Sequence, residues 1–247
     1  MSGRPRLLDL FCGAGGAAMG YHRAGFDVVG VDINPQPNYP FGFVQADIAA
    51  WASIDSGHIN GLWVWDFDAI HASPPCQAYT SMQSVAKNAE AHPDLIGVTH
   101  DILEASELPY VIENVVGAPL RDTFQLCGSS FNLGVRGLDR QLRRHRVFET
   151  NWPIGLIPQC RHEGKAVGIY GDHLRMGRRS SDGEYSGAKA LYYGSDAMGI
   201  DWMTWPELVQ AIPPAYTHFI GEQLIRQVTE RPEVVAKPKS GALVSEC

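Results

Sequence analysis

Residues 6–25 read RLLDLFCGAGGAAMGYHRAG, and this stretch decides the fold. A short apolar run, Arg6–Phe11, gives way to Cys12-Gly-Ala-Gly-Gly16 and then to a helical stretch that stops at Gly25. Glycines between a strand and a helix permit a tight turn and close backbone approach, and the helix N-terminus favours polar or anionic ligand groups. The pattern is G-x-G-G, not the full G-x-G-x-x-G, which weakens a dinucleotide reading. Outward from this loop, Asp27–Val31 is a second apolar run ending in Asp32, and Phe43–Gln45 a third, ending near Asp47. Asp68–Ala72 and Tyr110–Ile112 repeat the pattern, with a helix expected over Leu95–Ser106 between them. Strands that alternate with helices predict an α/β fold with a doubly wound, Rossmann-like, mostly parallel sheet. Ligands on such sheets bind beyond the carboxyl ends of the strands. There Asp32 can accept both hydroxyls of a ribose, and Asp47 an adenine amino group. The combination points to a nucleoside-bearing cofactor with no diphosphate required; the alternative is an ordinary tight turn with solvated acids.

The chain has 247 residues, 45% apolar and 19% charged, enough for one α/β core plus a small lobe. That composition excludes a wholly disordered chain. No apolar run reaches the length of a membrane span, and the N-terminus lacks a secretory pattern. Cys12, Cys76, Cys127, Cys160 and Cys247 are odd in number and scattered, as expected of a reduced, cytoplasmic protein. The net charge of −7 argues against a nucleic-acid partner. Its distribution argues the other way. Residues 139–180 carry nine basic against four acidic side chains, a local +5 that leaves −12 for the rest. Either an anionic partner meets this face or a solvated loop is rich in arginine.

Ala72-Ser-Pro-Pro-Cys-Gln77 follows the fourth strand, and its prolines stiffen the approach to Cys76. A cysteine at this edge is a nucleophile if cations or donors stabilise its thiolate, and otherwise a small buried hydrophobe. Glu113 and Asn114 end the next strand and belong beside it; a carboxyl group kept protonated there can donate a hydrogen bond. From Trp152 to Met198 the chain is rich in Gly, Ser, Arg and Tyr with little periodicity, a texture more often functional than connective. Cys160 and His162, with His173, suggest zinc, but no second ligand pair stands at finger spacing, so no metal is expected. Trp205–Gln210 and Phe219–Thr229 read as helices, and 230–247 as a disordered tail.

In order, DLFCGAGG, VGVDINP, FVQAD, ASPPCQ, IENVVGAP and RRHRVFE resemble the motif series of the DNA (cytosine-5)-methyltransferases, in particular compact phage or prophage-type members. The resemblance covers residues 7–150 and, more weakly, the C-terminal return. It implies the S-adenosylmethionine-dependent methyltransferase fold with a small target-recognition lobe. The expected division is a cofactor-binding catalytic domain at 1–150, a recognition region at 151–198, a return to the catalytic domain at 199–229 and the tail. It further implies S-adenosylmethionine as methyl donor and S-adenosylhomocysteine as product. By match to the family motifs, Phe11, Gly13, Gly15, Asp32, Ile33, Asp47, Ile48 and Pro75 would bind the cofactor. Cys76 would be the nucleophile, Glu113 the residue holding cytosine N3, and Arg144 and Arg146 the Arg-x-Arg pair near the base.

The implied reaction adds the Cys76 thiolate to cytosine C6, with Glu113 at N3 offsetting ring charge, before C5 takes the methyl group. The base must flip out of duplex DNA to reach such a pocket. Arg161, Lys165, Arg175, Arg178 and Arg179 would contact DNA, with Tyr170, Tyr192 and Tyr193 free to wedge or stack. A monomer with no membrane association is expected. Two departures stand out: Leu142 occupies a slot the family fills with Gln, and Glu222 stands where it has Asn, either lining the cofactor pocket or exposed. RNA (tRNA) cytosine methylation and a silent DNA-binding or masking role are the competing functions.

Overall fold

A computed structural model describes residues 3–51, 57–75, 95–177 and 182–230. The expected disordered tail, apart from Glu230, lies outside these residues, as do Cys76, Arg178 and Arg179. The first half alternates as the sequence predicts: β1 (Arg6–Leu10), α1 (Gly16–Ala24), β2 (Asp27–Asp32), β3 (Gly42–Gln45) and a turn of helix, α2 (Ile48–Trp51). A small hairpin, β4 (His58–Ile59) and β5 (Leu62–Trp63), precedes β6 (Ala69–Ala72). Its turn, Asn60-Gly61, has positive φ at both residues, the geometry that matches strand twist in a two-residue loop. Then follow α3 (Ile96–Ser106), β7 (Tyr110–Asn114), β8 (Phe124–Leu126), β9 (Arg140–Leu142) and β10 (Arg146–Thr150).

The main sheet has the order β3-β2-β1-β6-β7-β10-β8, and β10 runs antiparallel to both of its neighbours. The remaining pairings are parallel, so the fold is the mixed α/β, mostly parallel arrangement expected. Its central strands are covered on both faces, hence their largely apolar runs. In β1, Leu7 faces one core with Tyr21, Phe26, Phe148 and Tyr216, while Leu8 and Leu10 face the other with Phe67, Ile70, Leu103 and Ile112.

The second half departs from the sequence reading. Residues 165–198, read as irregular, form β11 (Lys165–Tyr170), β12 (His173–Arg175), β13 (Glu184–Tyr185) and α4 (Gly187–Met198). These strands make a separate sheet, β13-β12-β11-β9, whose edge strand β9 comes from before residue 150. The lobe and the body built on the main sheet therefore interleave in sequence. α4 buries Ala190, Gly194, Ala197 and Met198, and its two glycines, Gly187 and Gly194, are weak helix formers. α5 (Trp205–Gln210) matches its prediction. α6 (Pro214–Thr229) begins five residues before the expected Phe219, because a proline in a helix's first turn has no N–H to forfeit.

α6 lies against α1 at very short range. Gly16, Gly20 and Ala24 recur every four residues on one face of α1. A Cβ built on Gly20 would stand 2.0 Å from Thr217 Oγ1 and 2.3 Å from the Pro214 carbonyl oxygen. One on Gly221 would stand 2.7 Å from Ala24 Cβ. The Thr217 hydroxyl donates to the Ala17 carbonyl at 2.8 Å across this seam. Among the described residues no helix is long and apolar enough to cross a membrane.

Candidate active site

The carboxyl ends of β1, β2, β6 and β7 open onto a cavity of about 440 Å³. The loop after β1 forms one wall. Phe11, a non-glycine residue, is held at φ 57°, and Gly13 and Gly15 follow at φ 49° and 83°. Left-handed backbone at a side-chain-bearing residue is strain of the kind that collects at binding sites. Gly15 is obligatory for a second reason: a Cβ there would lie 2.8 Å from Pro40 and 3.0 Å from the Tyr39 ring. Gly13 instead faces open space. Its N–H donates to Asp32 Oδ2 at 3.1 Å, and the Asn34 N–H to Asp32 Oδ1 at 2.9 Å. The Asp32 carboxylate is thus fixed at the cavity wall beside Ile33.

Beneath the loop, Asp9 is fully buried and accepts a 3.3 Å hydrogen bond from the Tyr39 hydroxyl, while its Oδ1 has no partner. Burial pushes its carboxyl up to about 8, against the Tyr39 bond, so Asp9 is largely protonated at neutral pH.

The opposite wall comes from β6 and β7. Glu113 is 5% exposed and lines the cavity. The Arg146 Nε lies 2.9 Å from Glu113 Oε1, close enough for an ion pair although Oε1 has no well-aligned hydrogen bond. Burial raises the Glu113 carboxyl above the ordinary range, and Arg146 and the Ser73 hydroxyl only partly offset it. A buried chain orients this group. Tyr21 OH lies 3.0 Å from His71 Nδ1, and His71 Nε2 lies 2.9 Å from Ser73 Oγ. Burial drives His71 down to about 3, so the imidazole is neutral and carries one N–H. With Tyr21 donating to Nδ1, that proton sits on Nε2 and donates to Ser73, leaving the serine hydroxyl to donate to Glu113. Asn114 secures the adjoining loop: its amide donates to the Pro74 carbonyl at 3.1 Å, and its oxygen accepts from the Val115 N–H at 2.8 Å.

Of the residues singled out in the sequence, Phe11, Gly13, Asp32, Ile33, Pro75, Glu113 and Arg146 line the cavity. Asp47 and Ile48 stand outside its lining. Asp47 is exposed and accepts from the Ala49 N–H at 2.9 Å at the start of α2, and Ile48 is buried in the core. Arg144 is buried too, with its guanidinium donating to the Val209 carbonyl at 2.5 Å. Burial and the neighbouring Arg146 push it down to about 9. It ties the β9–β10 connection to α5, outside the cavity lining. Leu142 is buried in the core of the lobe. Glu222 is exposed on α6, 3.9 Å from His218. Arg161, Lys165 and Arg175 are exposed on the lobe side, with Lys165 paired to Asp182 and Arg175 beside Glu184.

Sequence reasoning missed Tyr21, His71 and Ser73. The one signal was a histidine inside an otherwise apolar strand that leads to the Pro-Pro-Cys loop. It also missed the lid of the cavity, formed by Met203, Pro206, Glu207, Gln210 and Ile212 from the C-terminal return. This segment is pinned by Trp202 Nε1 donating to the Ala14 carbonyl at 2.9 Å and by Asn38 donating to the Glu207 carboxylate. Glu207 also accepts the Thr204 N–H and hydroxyl, both at 2.7 Å, as a capping residue of α5.

Comparison with known proteins agrees with this geometry. Residues 5–123 match the family model of the C-5 cytosine-specific DNA methylases. A curated relative, the type II methyltransferase M.XorII of Xanthomonas oryzae pv. oryzae, is 30% identical over 122 residues, 46% of this chain. The chain spans only 29% of that relative's length across the match. The S. pombe Dnmt2 methyltransferase superposes with a TM-score of 0.57 at 15% identity, covering 91% of this chain and 99% of its own. The Entamoeba histolytica methyltransferase EhMeth superposes with a TM-score of 0.53 at 13% identity, covering 93% and 99%. At such identities these two structures speak for the fold alone. Residues 5–123 are thus similar to the C-5 cytosine-specific DNA methylases.

Proposed function

We propose that this protein transfers a methyl group from S-adenosylmethionine to C5 of cytosine in duplex DNA, through a covalent bond between Cys76 and cytosine C6. The observation that carries the reading is Glu113: a buried carboxyl with a raised pKa, on the wall of a cavity whose other wall is the glycine loop and Asp32. The cavity suits a nucleoside-bearing donor. Its volume is that of a small-molecule site, Gly13 leaves one side open, and Asp32 offers a carboxylate for ribose hydroxyls. When bound, S-adenosylmethionine supplies the electrophilic methyl group.

The chain's own groups do the rest. Cytosine C5 is a poor nucleophile, and addition of the Cys76 thiolate to C6 makes it an enamine carbon. Glu113, whose burial favours the protonated form and which accepts from Ser73, would donate to N3 and offset the charge that builds on the ring. Arg146 beside Glu113 supplies positive potential to the thiolate and the nearby phosphates. Loss of the C5 proton to a base then expels Cys76. Access to the cavity demands that the cytosine leave the helix, at a cost of a few kcal/mol met by phosphate contacts. The exposed Arg161, Lys165 and Arg175 would make those contacts, and the proposal extends to Arg178 and Arg179, which follow Arg175 closely in sequence. Asp47, Ile48 and Arg144 support the site from outside the cavity lining.

The test is isotope-labelled methyl transfer from S-adenosylmethionine to duplex DNA and, separately, to tRNA, read as 5-methylcytidine or its deoxy form by nucleoside mass spectrometry. Label in deoxycytidine is the expected result. Label confined to tRNA would reassign the substrate, and cofactor binding with no transfer to either would leave a DNA-masking role.

A further inference from the structure

Four potential metal ligands from three separated chain segments converge at the junction between catalytic body and lobe. Cys127 follows β8, His145 precedes β10, and Cys160 and His162 stand in the stretch leading to β11. Their ligand atoms all lie within 4.8 Å of one another. Cys127 Sγ is 3.3 Å from His162 Nε2, and Cys160 Sγ is 3.6 Å from His145 Nε2. A tetrahedral zinc ion, with bonds of about 2.3 Å to sulfur and 2.0 Å to nitrogen, sets sulfur–nitrogen edges of about 3.5 Å. Two of the four sulfur–nitrogen edges already have that length, and the remaining separations stay within 4.8 Å.

We propose that Cys127, His145, Cys160 and His162 bind a structural zinc ion. Zinc is favoured by the donor set, two thiolates and two imidazoles, which suits a borderline-soft divalent ion of tetrahedral habit. Two thiolates also neutralise its charge, so the site stays neutral beside Arg143 and Arg161. A second shell is in place. The Ser129 hydroxyl lies 3.2 Å from Cys127 Sγ and accepts the Arg161 N–H at 3.2 Å, and the Gln125 amide approaches Cys160 Sγ at 4.0 Å. With four protein ligands the site is closed, which makes its role mechanical and not catalytic.

The mechanical need is visible. Residues 151–164 form no helix or strand and are largely exposed, yet they lead from β10 into the lobe's sheet. A metal bound here would fasten that stretch to β8 and to the Arg-His-Arg connection before β10. It would fix the lobe beside Arg146. The sequence reading expected no metal because it saw only Cys160, His162 and His173. The partners are Cys127 and His145, and no finger-type spacing announces them. His173 instead faces Glu184 and Arg175 in the lobe's sheet.

The test uses the whole 247-residue chain purified without metal-affinity tags. Elemental analysis should find about one zinc per chain. Replacement by cobalt(II) should give the visible d–d bands and thiolate charge-transfer absorption of a tetrahedral site. Cys160→Ser and His162→Asn, both at exposed positions, should lose the zinc, whereas His173→Asn should retain it. Chelation should lower Tm and open the 151–164 stretch to trypsin. Wild-type protein that neither contains zinc nor gives the cobalt spectrum would overturn the proposal. So would full zinc occupancy in Cys160→Ser, or a Cys127–Cys160 disulfide found by thiol titration.

Discussion

Gly20→Ala is a one-methyl change whose effect follows from the α1–α6 seam. The new Cβ would stand 2.0 Å from Thr217 Oγ1, 2.3 Å from the Pro214 carbonyl oxygen and 2.6 Å from the His218 nitrogen. Two of these three atoms belong to the backbone, so no rotamer change relieves the overlap and α6 must move away from α1. Overpacking of this kind costs about 3 kcal/mol, the upper end of the usual range. Alanine's better helix propensity returns about 1 kcal/mol. The net loss is about 2 kcal/mol, equivalent to a fall in Tm of about 6 °C for a domain of this size. The consequence reaches the cavity, because α6 continues from Ala211 and Ile212, which line it; binding of S-adenosylmethionine should weaken with stability. Urea denaturation followed by circular dichroism, with cofactor affinity by calorimetry, reads both effects. Thr217→Ala in the Gly20→Ala background removes the nearest contact but not the Pro214 oxygen, so it should restore only part of the loss. A Gly20→Ala variant as stable as wild type, with unchanged affinity, would refute the close-packing argument.

Three further outcomes are expected. Glu113→Gln should cut methyl transfer by about 10²- to 10⁴-fold while leaving cofactor binding intact. Because burial raises the Glu113 carboxyl, its neutral form favours folding, and that advantage is lost as pH rises from the ordinary carboxylate range through the raised value. The Gln variant should therefore gain stability over wild type with rising pH in denaturation curves. Asp9→Asn should behave likewise with a wider window, from 3.8 to about 8, and a gain on the order of 4 kcal/mol at pH 7; equal pH profiles for variant and wild type would contradict it. Replacing Arg161, Lys165 or Arg175 by Ala should each lower the slope of log K against log salt for DNA binding by about 0.9, measured by fluorescence anisotropy.

The first half of the chain was legible because its signals are local. β1, β2, β6 and β7 are short, largely apolar runs, and the glycine loop announces the strand-to-helix turn. Asp32 and Glu113 could be placed at the cavity because each ends a parallel strand of the same sheet. Asp47 also ends such a run, yet it sits exposed at the start of α2; a strand-end position alone does not say which way a side chain turns. The lid was illegible for a different reason. Its position depends on Trp202 reaching Ala14 and Glu207 reaching Asn38 across nearly the whole chain. The lobe was missed because β11 pairs in parallel with a three-residue strand that precedes it, and only Val167 and Ile169 of β11 are buried. The Cys/His cluster has the same origin: the β8–β10 pairing brings Cys127 beside His145, and the non-regular 151–164 stretch folds back to add Cys160 and His162.

The covalent step is the central claim, and it can be trapped. Duplex DNA with cytosine replaced by 5-fluorocytosine carries fluorine where the C5 proton must leave, so the adduct cannot resolve after methyl transfer. Incubation with S-adenosylmethionine should yield a protein–DNA species that survives denaturing electrophoresis, is absent without the cofactor and is abolished in Cys76→Ala. No such species from a preparation that binds the cofactor, or one that persists in Cys76→Ala, would contradict the account.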